Sequence, residues 1–180
     1  MILRGLFTNK GGFDDVTMRK KIMSGRCHRL VGVFNLFMSC SPTGLSCFMS
    51  KEIPFPNTKE LADMVSSPSE DPGTRVDHNM ITAYQQMIIE RVEPIKRAIE
   101  ENGGLDAIRR GFAYYREHEP GEIKLINDLT LIGKKYKTLQ AVAKAHNMPP
   151  DMVRRHKDRT LEKIAAEIEM MRYSSGNAKS

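Results

Sequence analysis

No tryptophan occurs in the 180 residues, and cysteine occurs three times, at Cys27, Cys40 and Cys47. So sparse and odd a set does not suit a disulfide-built secreted scaffold, and an apolar core must hold the fold instead. Long apolar runs are missing as well. The longest, Leu30 to Met38, spans nine residues and is broken by Asn35, whereas a membrane-spanning helix needs about 20. No stretch alternates apolar and polar residues over enough length to make a strand.

Catalytic signatures are equally scarce. There is no Gly-rich phosphate loop, no nucleophile elbow and no paired-carboxylate motif. Cys27, His28, Cys40 and Cys47 lack the Cys-x₂-Cys spacing of zinc sites. His78, His118, His146 and His156 are scattered along the chain, and the last two fall on apolar helix faces. The expectation is a cytoplasmic protein that is not an enzyme and uses no metal or cofactor.

Charge is present but unevenly distributed. The net +6 divides into +5 over residues 1–48, −5 over 49–133 and +6 over 134–163, with the remainder neutral. Two basic blocks around an acidic one suggest an anionic partner for one of them. From Met49 onward the net is only +1, so local rather than total charge is informative.

The first 48 residues carry all three cysteines and show no sustained helical period. A basic lead before a short apolar run superficially resembles a secretory or lipoprotein signal, but it lies too deep in the chain. Met49 opens MSKEIPFPNTKELADMV, which reads like an ordinary start followed by a capped helix. Residues 1–48 are therefore expected to be a disordered arm or an upstream leader, with the working protein beginning at Met49.

Beyond that point the chain reads as all-α, a small helical bundle. Asn57 or Thr58 can cap a short helix to Val65, and a Ser/Pro/Gly-rich linker follows to about residue 76. Residues 77–120 form an acidic helical region. Ile81, Tyr84, Ile88, Val92, Ile95 and Ile99 mark one apolar stripe with Pro94 as a kink, and Gly103-Gly104 as its stop. Leu105, Ile108, Phe112 and Tyr115 mark the next helix, ended by Glu119-Pro120-Gly121, and Ile123, Ile126 and Leu129 mark another. Residues 121–172 form the last unit and 173–180 a disordered tail. Its stripe of Leu161, Ile164, Ile168 and Met171 is expected to pack on the acidic helices or on a second subunit.

The most specific segment is Tyr136 to Ile164, YKTLQAVAKAHNMPPDMVRRHKDRTLEKI. Thr138 is a good N-cap. Leu139, Val142, Ala143 and His146 share a helix face, and Asn147 suits a left-handed helix end. Pro149 and Pro150 then open another helix, where the first-turn N–H groups lack partners anyway. Val153, His156, Leu161 and Ile164 supply its inner face. The pattern is helix, short turn, helix, with small Ala143 where the two cross closely.

This segment resembles the helix-turn-helix that reads promoter DNA in the fourth region of bacterial sigma factors. It is also similar to LuxR-type regulators and to sigma-like phage regulators of late transcription. The likeness rests on Leu139, Val142-Ala143, Met148, Val153, Arg154-Arg155 and the closing Leu161-Glu162-Lys163-Ile164. It covers about 30 residues and departs at His146, where such motifs usually carry Leu, and at Pro149, where Ser or Thr is common. The resemblance implies that Asp151, Arg154 and Arg155 face base edges. Arg can fork onto guanine O6 and N7, and Asp can accept from cytosine N4. Lys137, Thr138, Lys144, Lys157 and Arg159 are expected at phosphates, which set affinity and register.

The functional expectation is sequence-specific binding of double-stranded DNA by a phage-type transcriptional regulator. The upstream helices would then serve dimerisation or contact with RNA polymerase. Two alternatives carry different predictions: a packaging or replication accessory such as a small terminase subunit, and a helical adaptor that binds only protein.

Overall fold

A computed structural model of the protein describes residues 24–41, 43–65, 85–86, 88–132 and 134–177. Among these the chain is helical, with no strand and a single isolated bridge between Ile132 and Tyr136. The helices are α1 (Gly25–Cys40), α2 (Ser46–Met49), α3 (Thr58–Val65), α4 (Glu93–Glu101), α5 (Gly104–His118), α6 (Pro120–Thr130), α7 (Leu139–Ala145) and α8 (Pro150–Asn177). The expected linker to residue 76 and the start of the acidic region, including His78, Ile81 and Tyr84, lie outside the described residues.

The N-terminal expectation needs correction. Residues 1–23 lie outside the described set, but α1 and α2 belong to the main core. Cys27, Leu30, Phe34 and Phe37 step by three or four along α1, and all are fully buried. Leu45, Cys47 and Phe48 join them. Phe34 packs edge-on against Phe112 at 5.2 Å between centroids, and Phe37 lies 4.8 Å from Phe48. Such pairs add about 0.5–1.5 kcal/mol each beyond their area burial. The described residues before Met49 are thus helical and core-packed, not a disordered arm. Arg109 locks the α2 region from the other side, its Nε donating to the Cys47 carbonyl at 3.1 Å, and Arg116 donates to the Met49 carbonyl at 2.7 Å.

Helix ends follow local chemistry. Asn57 is the cap of α3: its Oδ1 accepts from the Glu60 N–H at 3.0 Å, and Glu60 Oε2 accepts from the Asn57 N–H at 2.8 Å. This is a reciprocal capping box built on Asn. Pro94 cannot donate inside a helix, and the chain divides there, with a π-helical segment Ile88–Val92 giving way to α4. Gly103 and Gly104 take φ of 93° and 82°, a region that L side chains rarely adopt, so the chain reverses there between α4 and α5.

The long α8 completes the body. Leu161, Ile164, Ala165 and Ile168 are buried in the main core with residues of α1, α4, α5 and α6. Of the two expected partners for this stripe, the chain's own helices take it. Gly111 permits the approach of α5: a Cβ there would sit 2.3 Å from Ile168 Cγ1. Two boundaries expected from sequence also shift. Residues 173–177 continue α8 rather than forming a tail. Residues 121–172 are not a separate unit, because Ile123 and Ile126 of α6 share the main core with Leu161 and Ile164.

Candidate nucleic-acid interface

A second, smaller apolar cluster lies beyond the main core. Leu125 of α6, Val142 and Ala143 of α7 and Val153 of α8 are buried together, with Leu129, Tyr136, Leu139 and Met148 against them. It sets how α7 and the first turns of α8 are held. Thr138 is the extended N-cap of α7, and its Oγ1 accepts from the Ala141 N–H at 3.3 Å.

The turn between the two helices is tightly specified. Asn147 sits at φ 51°, the one non-glycine residue at positive φ among those described. The Met148 N–H donates to the Ala143 carbonyl at 3.0 Å and the Asn147 N–H to the Lys144 carbonyl at 3.2 Å. Those two bonds define a Schellman end, in which orphan helix carbonyls find donors just past the last turn. Met148 then packs on the small cluster, and α8 starts at Pro150.

His146 caps the end of α7 and is mostly buried. Its Nε2 lies 2.8 Å from Asp128 Oδ2, and Lys135 Nζ lies 3.8 Å from the other carboxylate oxygen. Asp128 is itself buried. A carboxylate in the last turn of a helix opposes the helix dipole, so Asp128 in the final turn of α6 is a sequence signal for a cationic or N–H partner. The partner, 18 residues away, was not evident from spacing. His156 is an edge residue, its Nδ1 3.5 Å from Glu122 Oε1. Thr160 Oγ1 donates to the other Glu122 oxygen.

The structure brings most of the expected contact residues onto the outside of this unit. Asp151, Arg154, Arg155 and Arg159 are exposed on α8, and Lys137, Thr138 and Lys144 on or before α7. Among the described residues the side chains of Lys137, Lys144, Arg154, Arg155 and Arg159 hold no hydrogen bond or ion pair. Lys157 differs. Its ammonium donates to Asn35 Oδ1 of α1 at 2.9 Å and lies 3.0 Å from Asp158, so it fastens α8 to the body and leaves the phosphate set. Asp158 and Glu162 are exposed farther along α8, which confines an anion-facing surface to its first turns.

Other candidate groups are placed apart. Cys27 and Cys47 are buried in the main core, and Cys40 is exposed at the end of α1. Burial, with the Glu169 carboxylate adding to it, raises the Cys27 thiol above its ordinary range, and burial pushes Cys47 up to about 11. Among the described residues no group of three or more His, Cys, Asp or Glu side chains is placed to hold a metal. None of the helices searched there is long and apolar enough to cross a membrane. No protein-family model, curated protein or solved structure matches the chain.

Proposed function

We propose that this protein binds double-stranded DNA in a sequence-specific way, placing the first turns of α8 in the major groove, as a helix-turn-helix regulator of transcription does. One observation carries the reading. Five exposed cations without partners border two helices joined by a left-handed Asn turn, and a dedicated apolar cluster fixes how those helices cross. Unpaired basic groups clustered on one motif are the footprint that a polyanionic backbone requires. Asp151, Arg154 and Arg155 are the base-edge candidates, since the N-terminal turns of the second helix reach deepest into the groove. Lys137, Thr138, Lys144 and Arg159 flank them as phosphate contacts.

A salt series on the full chain tests the class. Binding to a duplex, followed by fluorescence anisotropy, should weaken linearly in log salt with a slope between about −3 and −5, set by the phosphates neutralised. A slope near zero, or no binding at low salt, would reject the reading in favour of a protein-binding role. Selection of bound duplexes from a random pool then supplies the preferred site.

A further inference from the structure

Met152 stands out within the exposed face of α8. It follows Asp151, precedes Arg155 by one turn, and is 39% exposed, while its neighbour Val153 is fully buried in the small cluster. Single apolar residues on a surface are ordinary. Here, however, the surrounding positions Asp151, Arg154, Arg155 and Arg159 are all charged and exposed. At about 100° per residue, Met152, Arg155 and Arg159 form one row along the outer face of the helix.

The chemistry of the groove has one match for such a side chain. The major-groove edges of guanine, cytosine and adenine present only donors and acceptors, whereas thymine adds an apolar C5 methyl. A flexible, polarisable thioether adapts its shape to an apolar group of that size. Resting on the DNA-binding reading above, we infer that Met152 is a specificity-determining residue that selects a thymine by packing on its C5 methyl, beside the base pair read by Arg155. Lys137 and Lys144, on or before α7, take no part in that choice.

The test exchanges one methyl group at a time. A duplex selected from a random pool by the full chain is remade with each thymine in turn replaced by deoxyuridine, which removes only the C5 methyl. Affinity should fall about four-fold at one position, the change expected from exposing one buried methyl-sized group. In Met152→Ala that position should accept thymine and deoxyuridine equally, while Met152→Leu and Lys144→Ala keep the preference. If wild type binds every uridine duplex as well as the parent, or if the preference survives in Met152→Ala, the assignment is overturned while DNA binding stands. If no duplex is selected at all, the binding reading fails and this assignment with it. Met152 is exposed, so an unchanged circular dichroism spectrum is expected for each of its variants.

Discussion

His146 Nε2 and Asp128 Oδ2 lie 2.8 Å apart, joining the end of α7 to the last turn of α6 beneath the turn that leads into α8. Both side chains are largely buried, at 12% and 6% exposure. Leaving one member of such a pair without its partner costs more than removing both, because the survivor keeps its desolvation penalty.

Asp128→Ala is therefore expected to lower stability by about 1–3 kcal/mol, measured by urea unfolding. His146→Leu alone should also destabilise, although Leu is the residue that sigma-type motifs usually carry there. The double variant Asp128→Ala with His146→Leu should lose less stability than the sum of the two single changes. Strict additivity of the two single changes would show that the pair is not coupled.

Removal of residues 1–48 should abolish cooperative unfolding. That truncation takes Leu30, Phe34, Phe37, Leu45 and Phe48 out of the core. Within the full chain, Phe34→Ala tests the same packing and should cost about 3–5 kcal/mol. A sharp thermal transition in residues 49–180 would contradict the placement of α1.

Gly111→Ala should destabilise despite the higher helix propensity of Ala, worth about 1 kcal/mol. The new methyl would meet Ile168 Cγ1 at 2.3 Å, and overpacking typically costs about 1–3 kcal/mol. Ile168→Val keeps Cγ1 and should not relieve the clash, whereas Ile168→Ala, which removes it, should lower the thermal midpoint less in the Gly111→Ala background than in wild type. Unchanged stability in Gly111→Ala would mean that α5 and α8 are less closely packed.

The cysteines should separate in reactivity. Cys40 is exposed and should react with a maleimide in the native state, whereas Cys27 and Cys47 should react only after unfolding. Because burial raises the Cys47 thiol to about 11, the native state holds that proton longer than the unfolded chain does. Its contribution is thus complete below the unfolded thiol value and declines as pH rises from roughly 9 to 11. Over that window the thermal midpoint should fall less steeply in Cys47→Ala than in wild type.

The contact residues should divide by effect on a selected duplex and on random DNA. Arg154→Ala and Arg155→Ala should reduce the preference between the two, by about 1–3 kcal/mol where a bidentate guanine contact is lost. Lys144→Ala should weaken both alike and reduce the salt slope by about one. Equal behaviour of all three variants would remove the distinction between base and phosphate contacts.

Local signals explain what could be read beforehand. The α5 stripe, the Asn57 cap, the Pro94 break and the Asn147 turn depend on residues a few positions apart, so spacing alone reveals them. The α1 helix did not stand out, although Cys27, Leu30, Phe34 and Phe37 have helical spacing. Val31, Leu36 and Met38 are apolar as well and half-buried, which flattens the contrast between its faces. Gly25 and Gly32 weaken the helical pattern further. The role of Lys157 was hidden for another reason, since its partner Asn35 lies 122 positions away. On the candidate interface, residue type and helical position anticipated which side chains face outward, but the Asp128–His146 clamp needed three-dimensional placement.

The continuity of α8 has a mechanical consequence. One unbroken rod of 28 residues carries Val153 in the small cluster and Ile168 against Gly111. With about 1.5 Å of rise per residue, Pro150 stands some 27 Å from the Ile168 contact. If α8 pivots there, a tilt of roughly 5° sweeps its leading end through about 2 Å, several times the roughly 0.5 Å range over which a hydrogen bond keeps its length. Leverage of this kind makes the packing around Gly111 a bearing whose wear is felt at the far end, so a core substitution can alter aim without touching the residues that point outward.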